Sequence, residues 1–340
     1  MKILYGVQGT GNGHITRACA MADALSAYKE LDVTWLLSGR DRKKGCGDIQ
    51  DFQWREGLTF VTTGGKIDAW KTLRKNSIRQ FLRDINELDL TPYDLIVSDY
   101  EPVISHAARK RGIPVIGIGH QYAFCHPIPT RVKNPLLRGL MQGFAPANTP
   151  IGLHWHHFGF PILPPIVDLH APAILPPRIS HKVVVYLPFE NPEQVLKILG
   201  KHSNFEFYIY HPDMQHTDSG NLHQRPISRA GFKQDLLSSG RVITNSGFEL
   251  ISECLQLGIA VLSKPLHGQV EQLANAAALE QLSYADVIHD LDPKVIAGWL
   301  SADKPGVKLH YPEVADRLAA WIAGGCEESA ETLAAQLWKL

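Results

Sequence analysis

One stretch, residues 241–282 (RVITNSGFELISECLQLGIAVLSKPLHGQVEQLANAAALEQL), limits the folds open to this chain more than any other. Its first five residues hold a short β-branched run, Ser246-Gly247 is a turn pair, and a second apolar run at 259–262 follows Gly258, a residue suited to ending a helix. The order is therefore strand, turn, helix, strand, loop, helix. Two strands joined through a helix are parallel neighbours, because a parallel pair needs a long crossover. With helical periodicity, Phe248, Leu250, Ile251, Cys254 and Leu255 fall on one arc of the connecting helix, and Glu249, Ser252, Glu253 and Gln256 on the other. The expectation is a buried apolar face and a solvent-exposed polar face on which Glu249 and Glu253 lie one turn apart.

The entrance of that helix has a second property. The first amides of a helix lack internal partners and its dipole adds positive potential, so Ser246-Gly247 sits where a phosphate can bind. Glu249 and Glu253 follow on one face, and a ribose offers two hydroxyls to a carboxylate. An ordinary cap followed by a solvated acidic face accounts for the same residues.

Taken together, several residues are similar to the donor-binding signature of the MurG-type glycosyltransferases, and beyond them of nucleotide-sugar glycosyltransferases with the GT-B fold. They are Ser246-Gly247, Glu253, Pro265 closing the next strand, the loop Gly268-Gln269-Val270-Glu271-Gln272, and Asn275-Ala276. The resemblance implies an α/β chain of the GT-B class: two Rossmann-like doubly wound domains facing each other across a cleft. It also implies a nucleotide-diphosphate sugar, with a uracil base, on the second domain. Glu253 would take the ribose, the Ser246-Gly247 amides the diphosphate, and Glu271 and Gln272 the sugar hydroxyls, with Glu249 and Gln269 beside them. The sugar then passes with inversion to an acceptor on the first domain. The nucleotide sugar is a co-substrate, and no cofactor or metal is expected, since the helix entrance meets the charge on the leaving diphosphate. A non-hydrolysing nucleotide-sugar epimerase and a catalytically silent sugar-nucleotide sensor stand as alternatives.

The N-terminus repeats the pattern more weakly. Residues 1–7 form an apolar strand running into Gly9-Thr10-Gly11-Asn12-Gly13-His14, after which Ile15, Ala18, Cys19, Ala22 and Leu25 mark the buried stripe of a helix. A glycine-rich strand-to-helix turn lets backbone approach an anionic ligand closely. A dinucleotide fingerprint fits poorly: the spacing is G-x-G-x-G, and the second strand, at 33–37, ends in Ser38-Gly39-Arg40 without an acid for the ribose. The turn resembles the glycine loop of MurG-type enzymes, which also ends in histidine before a helix, although Asn12 lengthens it.

Further strands are expected at 58–62, 94–98 and 114–117, with helices near 78–88 and 103–111, the alternation of a doubly wound parallel sheet. Ligands of such sheets sit beyond the carboxyl ends of the strands. That rule places Ser98-Asp99-Tyr100-Glu101-Pro102, Gly119-His120-Gln121 and Gly64-Gly65-Lys66 on the same rim as His14. The candidate catalytic groups are His14, Asp99, Glu101 and His120. His14 ranks first as the base that removes the acceptor proton and Asp99 second, although an N-cap role accounts for Asp99 equally well.

Composition narrows the class. With 34 basic and 34 acidic residues in 340, the chain has no basic excess for a nucleic acid, and none is expected as a partner. No apolar run reaches the length of about 18 residues that marks a membrane span. Five dispersed cysteines, Cys19, Cys46, Cys125, Cys254 and Cys326, read as reduced thiols, and the expected setting is the cytoplasm. Residues 122–148 mix apolar side chains with Arg131, Lys133 and Arg138; a solvent-exposed helix and loop packing over the first domain is the favoured reading, and peripheral contact with the inner face of a membrane, with a lipid-linked or other glycan as acceptor, is the alternative. Residues 160–177 hold six of the 22 prolines and read as a stiff linker, and residues 213–224 as a mobile polar loop. The expected domains are 1–160 for the acceptor, a linker at 161–180, 181–325 for the donor, and a helix at 326–340 crossing back to the first domain.

Overall fold

Apolar runs alternating with helix-forming segments build two sheets in the computed structural model, which describes residues 1–63, 66–130, 135–168, 175–302 and 304–339. In the first half, β1 (Lys2–Gln8), β2 (Asp32–Ser38) and β3 (Gln53–Trp54) are followed by a separate small hairpin of β4 (Thr62–Thr63) and β5 (Lys66–Ile67). Then come β6 (Leu95–Asp99), β7 (Ile116–Gly119) and β8 (Thr149–Gly152). Outside the hairpin these strands form one parallel sheet in the order β3-β2-β1-β6-β7-β8. Its helices are α1 (Asn12–Ser26), α2 (Ala69–Lys75), α3 (Ile78–Glu87), α4 (Pro102–Arg111) and α5 (Pro135–Phe144).

The second half repeats the plan. Strands β9 (Ile179–Tyr186), β10 (Glu206–Tyr210), β11 (Thr217–Ser219), β12 (Leu222–Arg225), β13 (Ser239–Asn245), β14 (Ala260–Lys264) and β15 (Asp286–Val287) lie in the order β11-β12-β10-β9-β13-β14-β15. All neighbours are parallel except β11 with β12. The helices are α6 (Pro192–Leu199), α7 (Arg229–Ser238), α8 (Phe248–Leu257), α9 (Val270–Leu282), α10 (Pro293–Ser301), α11 (Val314–Ala323) and α12 (Ala330–Trp338). The strand order reverses between β1 and β6 in one sheet and between β9 and β13 in the other. Such switch points leave a crevice beyond the strand ends, which is where ligands of open parallel sheets bind.

Both faces of each sheet are covered, as parallel strands require. Leu4, Leu36 and Ile96 pack outward with Phe81, Ile85 and Ile104, and Val183, Val185 and Ile243 pack outward with Ile198, Ile296 and Trp299. The inner faces share one continuous core. It runs from Ile3, Tyr5 and Val7 through Trp155 to Phe248, Ile251 and Leu255, and includes Leu318 and Trp321 of α11.

That shared core explains most departures from the sequence reading. The polar arc of α8 is not solvated: Ser252 and Glu253 are buried, and Trp155 Nε1 donates to Ser252 Oγ at 2.8 Å. A neighbouring domain covers a face that helical periodicity alone assigns to water. The proline-rich connection is packed rather than free, with Ile162, Leu163 and Ile166 buried and Trp338 Nε1 donating to the Ile162 carbonyl at 2.7 Å. Residues 169–174 of it lie outside the described residues. The chain returns to the first domain earlier than expected, because α11 already packs against α1.

Other departures are local. No strand forms at 58–61, where side chains take up the backbone groups: Asn76 Oδ1 accepts from Thr59 N at 2.7 Å and Thr72 Oγ1 from Val61 N at 2.9 Å. Gly64-Gly65 lie outside the described residues. The expected polar loop holds the β11–β12 hairpin, where Asp218 accepts from His223 at 2.8 Å and from Arg225 at 2.7 Å. In the segment with membrane contact as its alternative reading, Tyr122, Ala123, Phe124 and Ile128 are buried, so that part is core. Residues 131–134 lie outside the described residues.

Glycine contacts yield a stability test. A Cβ on Gly152 of β8 would lie 2.6 Å from the Ala123 Cα, and backbone there cannot give way as a side-chain tip can. Gly298, inside α10, has open space around its missing Cβ. Gly152→Ala is expected to lose about 1–3 kcal/mol by overpacking, and Gly298→Ala to gain about 1 kcal/mol through helix propensity, both measured by urea unfolding. Equal effects would contradict the packing at Gly152.

Candidate active site

The first domain contributes a helix start without a cap. α1 begins on Gly11 and α8 on Gly247, and neither receives a side-chain hydrogen bond at its N-cap. Helices α2, α3, α4, α6, α7, α9, α10 and α12 are all capped by a side chain. Helix α11, starting at Glu313, also lacks a side-chain cap; the starts of α1 and α8 face each other. A Cβ on Gly13 would lie 2.3 Å from Glu249 Oε2, so the carboxylate of α8 is seated directly against the first turn of α1.

His14 and Arg17 are three residues apart on α1 and therefore share a face. Asp99, the last residue of β6, meets both. Its Oδ1 lies 2.7 Å from His14 Nδ1 and accepts from Arg17 Nη2 at 2.5 Å, while its Oδ2 accepts from Arg17 Nε at 2.8 Å. Tyr100 follows in the left-handed region, with φ 52°, a sharp turn held by its hydroxyl donating to the Met141 carbonyl at 2.6 Å. A carboxylate can only accept, so a hydrogen bond to Asp99 requires the proton on His14 Nδ1, and in that neutral tautomer Nε2 holds the lone pair; Arg17 Nη2 also lies 2.9 Å from Nδ1. The Gln121 amide lies 3.4 Å from that Nε2. Burial alone would raise the Asp99 pKa, but Arg17 and His14 more than offset it and hold the carboxyl below its ordinary value. Burial likewise opposes the charge on Arg17, yet Asp99 and Glu249 outweigh it and keep the guanidinium protonated.

Two expected catalytic groups have other duties. Glu101 is the N-cap of α4, accepting from Val103 N at 2.8 Å and Ile104 N at 2.6 Å, with Ser38 Oγ as a third donor. Burial raises its pKa to about 7 against the lowering effect of these donors. The cap role allowed for Asp99 thus belongs to Glu101. His120 is fully buried between the domains, its ring stacked on Phe248 at 3.9 Å, with Nε2 2.6 Å from Asn275 Oδ1 and Nδ1 2.9 Å from the Leu153 carbonyl. Neither ring nitrogen is free for an acceptor.

On the second domain, Ser246 Oγ is turned inward to Ser263 Oγ at 2.7 Å and the Gly247 amide donates to the Asn245 carbonyl at 2.7 Å, which leaves the amides of the first turn of α8, from Phe248 on, as the groups without an intrahelical partner. Glu249 reaches across to Arg17 Nη1. Glu253, one turn on, is buried, and burial raises its pKa to about 7, with Lys233 pulling the other way. Gln269 caps α9 by accepting from Gln272 N at 2.5 Å, and Gln272 Oε1 accepts from Leu266 N at 3.0 Å. Of the loop expected on the sugar, Glu271 alone points to the other domain, where Gln121 Nε2 donates to it at 3.0 Å.

The structure therefore brings together His14, Asp99, Glu249, Glu271 and the glycine turn, in which Asn12 Nδ2 donates to Tyr186 OH of the second domain at 3.1 Å. Sequence reasoning missed Arg17, whose place three residues after His14 was the available signal, and gave Gln121 no role. A hollow of about 590 Å³ lies elsewhere, off the cleft, lined by Ala22, Val33, Trp35, Ile49 and Phe52 among others. None of His14, Asp99, Glu249 or Glu271 lines it.

Comparison with known proteins fits this geometry. The profile of the family described as glycosyl transferase family 1 matches residues 1–302. An uncharacterized glycosyltransferase of Methanosarcina acetivorans is 26% identical over 329 residues, covering 84% of this chain and 82% of that one. The fold is similar to Acinetobacter baumannii MurG, with a TM-score of 0.54 and 14% identity over 100% of this chain and 99% of that one. It is also similar to the Streptomyces sp. SF2575 glycosyltransferase SsfS6 complexed with thymidine diphosphate, with a TM-score of 0.60 and 12% identity over 98% of each chain. A third likeness is to Arabidopsis thaliana UGT89C1 complexed with UDP, with a TM-score of 0.57 and 12% identity over 99% of this chain and 98% of that one. These solved structures establish the GT-B architecture, and the family match establishes the rest: the chain belongs to glycosyl transferase family 1 and is a glycosyltransferase.

Proposed function

We propose that the chain transfers a sugar from a nucleoside-diphosphate sugar, a UDP-sugar in the first instance, to an acceptor hydroxyl, with inversion and without a metal. One observation carries the reading: the His14–Asp99 pair lies beside an uncapped α1 start that faces the uncapped start of α8. The amides of the first turn of α8, which follows Ser246-Gly247, would receive the diphosphate, Glu253 the ribose and Glu271 the sugar. Asp99 holds the His14 tautomer, Nε2 takes the acceptor proton, the acceptor oxygen bonds to the anomeric carbon, and the glycosidic electron pair leaves with the diphosphate toward the α8 start. The nucleotides in the complexes of SsfS6 and UGT89C1 support a nucleotide donor. The proposed setting is the cytoplasm.

His14→Ala is expected to lower kcat by about 10²–10⁴-fold while leaving donor affinity unchanged, with activity of the unaltered chain surviving excess chelator. Turnover of a panel of UDP-sugars, followed as UDP release, checks this. Near-normal kcat in His14→Ala, or loss of transfer in EDTA restored by Mg²⁺, would overturn it.

Glu253 makes donor binding pH-dependent. Its folded pKa of about 7 exceeds the ordinary 4.5, so the folded chain holds this proton more tightly than the unfolded chain does. The stability it confers is complete below 4.5 and is lost as pH rises through 7. Ribose hydroxyls donate to the ionised carboxylate, so affinity for an intact UDP-sugar should rise about tenfold from pH 6 to pH 8 with release of a proton. Calorimetry in buffers of differing ionisation enthalpy measures both, and Glu253→Gln should abolish the pH dependence. The same dependence in the variant would remove Glu253 from the site.

The acceptor is proposed to be lipid-linked or another glycan, and membrane contact falls on α2 and α3 rather than on residues 122–148. Trp70, Leu73, Ile78 and Leu82 are 73%, 66%, 59% and 53% exposed, among Lys71, Arg74, Lys75, Arg79 and Arg83. Hydrogen bonds from Thr10 to Thr59 and from Thr59 to Asn76 tie α2 to the glycine turn. Phosphatidylglycerol vesicles should bind the chain in a salt-sensitive way and phosphatidylcholine vesicles should not. Trp70→Ser with Leu82→Ser should abolish binding; unchanged binding would place the contact elsewhere.

A further inference from the structure

We propose that Arg17 is a positioning residue that ties the acceptor-activating histidine to domain closure: it holds Asp99 in line with His14 and is itself held by Glu249 of the opposite domain. The inference deepens the reading above and rests on His14 being the base. Arg17 is 1% exposed, and each arm of its guanidinium has a partner. Nε and Nη2 grip both oxygens of Asp99 at 2.8 and 2.5 Å, a planar two-point match that lysine cannot reproduce, and Nη1 takes Glu249. Nη2 also lies 2.9 Å from His14 Nδ1, so the same group that fixes Asp99 borders the imidazole.

Closure adds a charge to this cluster. Within the first domain, Arg17 and Asp99 cancel. When α8 closes on α1, Glu249 brings a further negative charge against Arg17, and the group around His14 becomes net negative. That surplus stabilises the imidazolium formed once His14 has taken the acceptor proton, and it exists only with the domains together. The other groups around this cluster are Tyr5 of β1, Tyr122 in the turn after β7 and, through Gln121, Glu271 of α9. Closure thus completes the base at the moment the donor domain arrives, so a proton is not taken productively with the cleft open.

The test uses the full chain with ¹⁵N-labelled histidine, His14 being assigned by loss of its signals in His14→Gln. Its ring nitrogens should report one tautomer, with the proton on Nδ1. Arg17→Gln and Glu249→Gln should both shift them, although Glu249 does not touch the ring. With UDP-N-acetylglucosamine as probe and UDP release as readout, Glu249→Gln should lower kcat about tenfold and Arg17→Gln about a hundredfold, with donor KM unchanged and partial recovery in Arg17→Lys. Unshifted ring nitrogens in Glu249→Gln, or a raised KM at unchanged kcat, would overturn the proposal and make Glu249 a donor ligand. Glu249 is only half-buried, so its variant keeps the test decisive should Arg17→Gln not fold. Undiminished turnover in His14→Gln would instead remove the base assignment, while the ring signals still decide the coupling.

Discussion

A guanidinium buried at the junction of two domains needs a partner on every side, and Arg17 finds two carboxylates there, one from each half of the chain. Removing one partner of a buried ion pair typically costs about 3–5 kcal/mol, because the remaining charge is left uncompensated in a poorly polarisable setting. The requirement reaches outward. Asp99 must leave β6 at a fixed angle, which the left-handed backbone of Tyr100 supplies, and α8 must bring Glu249 against the first turn of α1, where its carboxylate lies beside Gly13.

Around that charge the two domains share surfaces as a single core would. Phe248 stacks on His120, Trp155 donates to Ser252, and the inner faces of both sheets join one apolar cluster that takes in α11. Each buried aliphatic or aromatic side chain contributes about 1.5–3 kcal/mol, so apolar packing favours the closed arrangement and polar pairs set its register. The polar pairs are also the groups a nucleotide sugar would meet. Arg17, Gln121 and Asn12 of the first domain each bond to a residue of the second, so the contacts that bridge the junction also surround His14.

How much of this was legible depended on whether a signal was local. Strand, turn and helix order around 241–282 follows from β-branched runs, a turn pair and Gly258 as the left-handed C-cap, and the helix and strands formed where expected. The place of His14 beside Asp99 followed from the rule that strand ends line one rim. Burial of Glu253 and Ser252 was not legible, since helical periodicity distinguishes faces but not whether a second domain or water covers one of them. The same limit hid the duty of His120. Glu101 and Asp99 are two residues apart with the same functional group, and only the turn at Tyr100 decides which caps α4 and which meets His14. Residues 58–61 read as a strand because their apolar pattern is right, while Thr72 and Asn76 compete for the backbone from seventeen or fewer residues away.

The central claim is that donor phosphates meet the α8 start while the reacting carbon faces His14 across the junction. A crystal structure with an intact UDP-sugar bound tests it most directly. Diphosphate oxygens are expected on the first-turn amides of α8 after Gly247, ribose hydroxyls on Glu253, and the anomeric carbon turned toward His14 Nε2 with space for an acceptor oxygen between them. A nucleotide bound instead on the glycine turn at Gly9–Gly13, with its sugar directed away from His14, would contradict it.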